Sequence, residues 1–287
     1  MNFRRFLSKL ISPGASAGGQ SGSEHPTDAG PEHQDGASTE DDRGDSQDDR
    51  GITDLIAALD DAIRLNPQDA VAHFRRGVAY RSLCQLDRAL QDLNEAIRID
   101  PILAPAYYHR GDVYAVAGQM EAAIQNYDIS IDLYPKYAPA YADRGSAHDD
   151  LGEYQQAVED FTEAIRLDPT SAETFYDRAV SYSRQGQFDR SIPDYDEAIR
   201  LDLTYTMAYG NRGAAYASLG EYQRAVENLD EAIRLDDRYP LAYANRALAN
   251  AQLGNDDRIE QDLEKAVDLG FDRSTLGEGI QAIKDAR

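Results

Sequence analysis

Tryptophan is absent from the 287 residues, and cysteine occurs once, at Cys84. A single thiol excludes an intramolecular disulfide and any cysteine-rich zinc site, and it is compatible with a reducing compartment. With no indole available, a core must be built from the 18 tyrosines, from aliphatics and from small residues. Positive charge is scarce: 29 Lys and Arg face 52 Asp and Glu, for a formal charge of −23. Nucleic-acid binding is driven by neutralising phosphates, so this balance removes DNA and RNA as expected partners and favours basic ones. No apolar run approaches the ~20 residues of a membrane-spanning helix. The opening "MNFRRFLSKLIS" is basic, but Lys9 interrupts its apolar stretch, which argues against a cleavable secretory signal.

What is present divides sharply near residue 51. Residues 1–12 can form a short basic amphipathic helix with Phe3, Phe6, Leu7 and Leu10 on one face. Such a helix could rest weakly on an anionic membrane surface, on a partner or in the chain's own acidic groove. Residues 13–51 run "PGASAGGQSG…DDRGDSQDDRG", without large apolar residues. That composition cannot bury enough surface to offset ordering entropy, and a disordered acidic linker is expected. Beyond it the chain repeats itself every 34 residues without a gap. Six units occupy 70–103, 104–137, 138–171, 172–205, 206–239 and 240–273, preceded by a half unit at 52–69.

The columns of this alignment have physical reasons. Place eight holds Gly77, Gly111, Gly145, Ala179, Gly213 and Ala247, small enough for two helices of a unit to approach closely. Place fifteen holds Cys84 and then Gly118, Gly152, Gly186, Gly220 and Gly254, where glycine can end a helix in the left-handed conformation. Places twenty and twenty-seven are mostly alanine, with larger core residues such as Tyr154, Phe161, Ile165 and Leu167 at helical spacing between them. Pro101, Pro135 and Pro169 stop the second helix. The pattern resembles the tetratricopeptide repeat, a 34-residue helix–turn–helix unit, in its bacterial-type form. That resemblance implies an all-α, right-handed superhelical solenoid over 52–273, with first helices lining a concave groove that receives partner peptides.

Departures from the pattern carry their own expectations. Leu203, Asp237 and Phe271 replace the terminating proline, so the later turns are expected to be less sharply defined. Ser191 and Pro193 mark the fourth unit as the weakest. Residues 274–287 are expected to form a capping helix with Ser274 as N-cap and Leu276, Ile280 and Ile283 facing the core. The family's chaperone-binding clamp needs Lys, Asn and Arg at places five and nine; here those places are apolar, small or acidic, so that role loses its support.

The stretch "AYADRGSAHDDLG" looks at first like a catalytic cluster. Ser146 and His148 point about 200° apart on one helix, however, and His148 occupies a column of tyrosines. The five histidines show no metal-ligand spacing. No catalytic residue, cofactor or metal is expected, and the chain is not expected to be an enzyme. Asp143, Ser146, Asp149 and Asp150 share one helical face. With Tyr108, His109, Asp112, Tyr176 and Asp177 of neighbouring units they compose a candidate groove for a Lys- or Arg-containing protein segment. An acidic protein can also carry such carboxylates simply as a solvated face.

Every unit has arginine at place seven: Arg76, Arg110, Arg144, Arg178, Arg212 and Arg246. Counter-ions are expected at place twenty-three (Asp92, Asn126, Asp160, Asp194, Asn228 and Asp262) and place twenty-six (Glu95, Glu163, Glu197 and Glu231). The expected function is a cytoplasmic scaffold or adaptor that binds a partner segment in its groove. The alternative is a self-assembling scaffold, membrane-peripheral through residues 1–12.

Overall fold

The structure, a computed structural model, describes residues 47–287, with side chains from Asp49 onward. The expectations for residues 1–12 and for the linker as far as 46 lie outside the described residues. Fourteen helices and no strand make up the described residues. The first, α1 (Gln47–Leu65), is a lone second-type helix. Six helix pairs follow: α2 (Ala70–Ser82) with α3 (Leu86–Ile99), α4 (Ala104–Val116) with α5 (Met120–Leu133), and α6 (Ala138–Asp150) with α7 (Tyr154–Leu167). Then come α8 (Ala172–Arg184) with α9 (Phe188–Leu201), α10 (Thr206–Leu219) with α11 (Tyr222–Leu235), and α12 (Pro240–Leu253) with α13 (Asp256–Asp268). The last, α14 (Arg273–Asp285), closes the array. No helix among the described residues is long and apolar enough to cross a membrane.

Each pair is held by the small residue at place eight. A Cβ on Gly111 would lie 2.6 Å from the Tyr127 ring, and one on Gly145 would lie 3.0 Å from the Phe161 ring. The absent methyl is what lets Tyr127 and Phe161, both fully buried, fill the space between paired helices. First helices of neighbouring pairs also touch one another directly, while second helices do not to the same extent. The array therefore curves with its first helices on the inner, concave side.

Turn chemistry explains why the repeat persists where proline is missing. Asp168 precedes Pro169 and ends α7 at φ −134°, ψ 97°, while Asp202 precedes Leu203 and ends α9 at φ −134°, ψ 100°. The expected loosening of the later turns is not seen at Leu203. In each case the aspartate Oδ1 accepts a hydrogen bond from the N–H two residues on, from Thr170 at 3.0 Å and from Thr204 at 2.8 Å. This Asx turn sets the backbone whether or not proline follows. Pro193 lies in the second turn of α9, on its exposed side, rather than in the first turn, and the helix runs through it.

The ends differ from expectation in detail. Helix α1 begins at Gln47, five residues before the expected boundary, and Thr53 Oγ1 donates to the Asp49 carbonyl within it. Composition placed that turn in the linker because residues 47–51, QDDRG, include no large apolar residue. At the far end the N-cap is Asp272, not Ser274: its carboxylate accepts from Thr275 N at 2.7 Å and from Ser274 Oγ at 2.8 Å. Those bonds hold the Asp272 carboxyl down at about 2. Leu276, Ile280 and Ile283 are buried against α12 and α13 as their spacing implied.

The arginine column ties the array along its length. Arg144 donates through Nε and Nη2 to both oxygens of Asp160, at 2.9 and 2.5 Å, and through Nη1 to Asp128 of the preceding unit at 2.5 Å. Arg76 grips Asp92 twice at 2.7 Å and Asp60 at 2.6 Å. Arg246 grips Asp262 at 3.0 and 2.6 Å and Asp230 at 2.5 Å. Each guanidinium thus bridges residues sixteen positions ahead and sixteen behind, place twenty-three of its own unit and place twenty-five of the one before. Place twenty-six was expected to help and does not: Glu95, Glu163, Glu197 and Glu231 pair with Arg98, Arg166, Arg200 and Arg234 three residues on. At i, i+3 on one helix those partners are nearer. Five of the ladder arginines, all but Arg76, also lie over the aromatic at place four, as Arg144 does over Tyr141 at 5.6 Å.

Arg144 is 20 % exposed and Asp160 9 %, so removing the guanidinium strands a carboxylate largely out of water. Arg144→Ala is expected to destabilise by about 3 kcal/mol, with part recovered on adding Asp160→Asn, as read from chemical denaturation. A second test concerns Cys84, exposed and held at φ +54°, in the column where every other unit has glycine. Cys84→Gly is expected to raise stability by roughly 0.5 kcal/mol, the left-handed penalty less the extra freedom of unfolded glycine.

Candidate partner-binding groove

Along the concave side, place six of successive first helices holds Asp143, Asp177, Asn211 and Asn245. The last three line a cavity of about 380 Å³ between α6, α8, α10 and α12. Ser146, Asp149 and Asp150 form its α6 wall, and Tyr176, Val180 and Arg184 its α8 wall. Phe161 and Tyr195 reach it from second helices, and Met207, Tyr239 and Leu241 from unit junctions. Tyr239 has room because place five of α10 is Gly210; a Cβ there would sit 2.5 Å from the tyrosine ring. Tyr176 is wedged 4.9 Å from the Tyr205 ring, and its hydroxyl accepts from Asn211 Nδ2 at 2.9 Å.

The carboxylates are not equivalent. Asp149 is engaged internally, accepting from Ser181 Oγ at 2.7 Å and from Arg184 Nη1. Burial lowers the Arg184 pKa, so its guanidinium is costly to hold charged there and Asp149 supplies its counter-charge. Asp150 and Asp177 carry no ion pair or hydrogen bond among the described residues. Burial raises both; Asp177 is pushed up to about 7, with Glu173 and Asp143 adding repulsion.

A smaller depression of about 230 Å³ lies one unit back, lined by Tyr108, Asp143 and Glu173 among others. Tyr108 donates its hydroxyl proton to Asp143 Oδ2 at 2.6 Å. Burial lifts Asp143 to about 6 against the pull of that bond, and Asp112 and Glu173 add to the rise. Asp112 itself is buried and spoken for, with Arg81 at 3.3 Å, His109 Nδ1 at 3.1 Å and the Tyr127 hydroxyl donating at 3.1 Å.

The nine residues singled out from sequence therefore separate into three groups. Ser146, Asp149, Asp150, Tyr176 and Asp177 share the larger cavity; Tyr108 and Asp143 share the smaller; His109 and Asp112 line neither. Tyr108 and Tyr176 are half-buried. Ser146 Oγ donates to the Ala142 carbonyl at 3.1 Å rather than to His148, which is half-buried and bonds Glu153 at 2.6 Å. Asn211, Asn245, Arg184, Tyr195 and Tyr239 were missed. The place-six column would have found the two asparagines, since it continues the line of Asp143 and Asp177.

Asp177 also sets a test of pH. Its raised pKa means the native chain binds an extra proton between about 4 and 7, so this carboxyl weakens the fold progressively as pH rises through that window. Asp177→Asn, the residue type already present at Asn211 and Asn245, is expected to raise the melting temperature at pH 8 by roughly 3 °C. At pH 4.5 the same variant should melt close to the parent.

Sequence models described as Tetratricopeptide repeat match residues 70–102, 104–137, 138–171 and 161–192, and one described as TPR repeat matches 213–254. Together they cover more than half of the chain, which belongs to the tetratricopeptide repeat family. Among curated proteins, none matches. Among solved structures, YrrB, described as a TPR protein with an unusual peptide-binding site, is 24 % identical with a TM-score of 0.59, over 65 % of this chain and 96 % of that one. MamA is 26 % identical at a TM-score of 0.54, over 55 % and 93 %. The C-terminal part of a TPR repeat-containing protein from Cytophaga hutchinsonii is 16 % identical at 0.65, over 81 % and 95 %. These likenesses bear on the fold, a tetratricopeptide solenoid suited to protein–protein interaction.

Proposed function

We propose that the chain is a non-catalytic scaffold whose concave groove receives an extended, basic segment of a partner protein. The observation that carries this is the pair of carboxylates Asp150 and Asp177, unpaired among the described residues and set among tyrosines on the inner face. Carboxylates that lower stability and find no partner within their own fold are placed to meet a cation from outside. YrrB, of similar fold, is described as having a peptide-binding site, which agrees in kind with this use of the groove.

Titration calorimetry with a basic twelve-residue peptide is expected to give binding that weakens steeply as salt is raised, as exposed charge pairs do. The double variant Asp150→Asn/Asp177→Asn should lose most of that affinity, whereas Asp149→Asn acts mainly on stability. Equal binding by the parent and the double variant would remove the groove carboxylates from the function. Light scattering over a range of concentrations separates this from self-assembly: a monomer throughout supports the adaptor, and growing oligomers support a self-assembling scaffold.

A further inference from the structure

We infer that the larger cavity is an arginine pocket: it takes one arginine side chain of the bound segment, held between the Asp177 carboxylate and the Asn245 carboxamide. This rests on the groove binding a partner segment, and it adds which side chain is read and where. Asn245 is only 6 % exposed, lines the cavity, and its Oδ1 has no hydrogen-bond partner. A buried acceptor left without a donor is costly, on the order of 1–3 kcal/mol, and native folds rarely tolerate one without use. Its neighbour in the same column, Asn211, donates through Nδ2 to the Tyr176 hydroxyl at 2.9 Å.

The cavity then presents three acceptors without a partner among the described residues, the Asp150 and Asp177 carboxylates and the Asn245 Oδ1. Its one cation, Arg184, is committed to Asp149. Asp177 and Asn245 stand on α8 and α12, on two units separated by the intervening α10, so a group that meets both must spread its donors apart. A guanidinium can, because five N–H groups radiate from a planar head; an ammonium concentrates its donors at one point. The remaining walls are tyrosine rings and the aliphatic side chains of Val180 and Leu241, which suit the methylene stem and the flat face of the guanidinium. The volume, about 380 Å³, is at the small end of ligand pockets, fitting one long side chain and the backbone beside it.

The test is a random twelve-residue peptide library displayed and selected on the full chain, followed by calorimetry on the best binder. Selected peptides are expected to share an arginine at one register. Replacing it by citrulline, which keeps the shape and removes the charge, should weaken binding at least tenfold, and lysine should recover only part. Asp177→Asn and Asn245→Leu should each abolish the arginine-over-citrulline preference. Asn245→Asp should sharpen it, a gain that a purely structural role for Asn245 would not produce. Asp132→Asn, exposed on α5 and lining neither depression, should leave the preference unchanged, and thermal melts establish that each variant is folded. Peptides that compete with one another for the groove but show no fixed arginine, or bind equally as citrulline, overturn the pocket while leaving the groove function standing. A library yielding no binder sensitive to changes in the groove overturns both.

Discussion

The guanidinium at place seven is the constraint on which the array depends. Apolar packing already crosses the unit boundaries, as where Leu93 and Ala96 cluster with Ala106 and Val113 of the next unit, and the ladder adds directional bonds to it. Arg144 joins its own pair through Asp160 and the preceding pair through Asp128, so one side chain serves both intra-unit and inter-unit contacts. The same geometry recurs at a spacing of sixteen residues in both directions at Arg76 and Arg246. Because the ladder lies beneath the first helices, it also fixes how their outer faces are presented along the groove.

That arrangement accounts for the acidic character of the inner face. Much of the negative charge within the repeats is already consumed: place twenty-three by the ladder, place twenty-six by arginines on the same helix, Asp149 by Arg184, Asp112 by Arg81. Only after these are removed do Asp150 and Asp177 stand out. An acidic groove on an acidic protein means little by count, and it becomes informative when the satisfied carboxylates are separated from the unsatisfied ones. The site is defined by what its own fold leaves unanswered, a carboxylate at Asp177 and a carboxamide oxygen at Asn245.

The helical class, the unit boundaries and the role of place eight were legible in the sequence because each depends on residue size at a fixed spacing, which a repeat displays six times. The primary rung from Arg144 to Asp160 was legible for the same reason. Place twenty-five was not, since its residues (Asp60, Asn94, Asp128, Thr162, Asp196 and Asp230) differ in type and act across a unit boundary that an alignment cuts. Helical spacing found Asp143, Ser146, Asp149 and Asp150 on one face, yet it could not tell that Ser181 and Arg184, a unit away, occupy Asp149. Asn245 escaped because an asparagine draws attention only when its partners are counted, and that count needs three dimensions. The proline column misled in the opposite direction: at Asp168 and Asp202 the aspartate holds the turn, whether proline or leucine follows.

One rung of the ladder differs from its fellows. Arg110 meets two carboxamides, Asn126 at 2.7 Å and Asn94 at 2.7 Å, where the rungs at Arg76, Arg144 and Arg246 meet carboxylates on both sides. A guanidinium bonded to a carboxamide has hydrogen bonds assisted by one charge but no attraction between opposite charges, so salt weakens it less than it weakens a carboxylate rung. The solenoid therefore has two joints, Arg110 to Asn94 between the first and second full units and Arg178 to Thr162 between the third and fourth, that depend less on salt than the joints closed by carboxylates. Pulled along its axis in dilute buffer, the array would part first at one of those two joints; in concentrated salt the strain would spread more evenly, and the curvature of the groove would be set by the medium as much as by the chain.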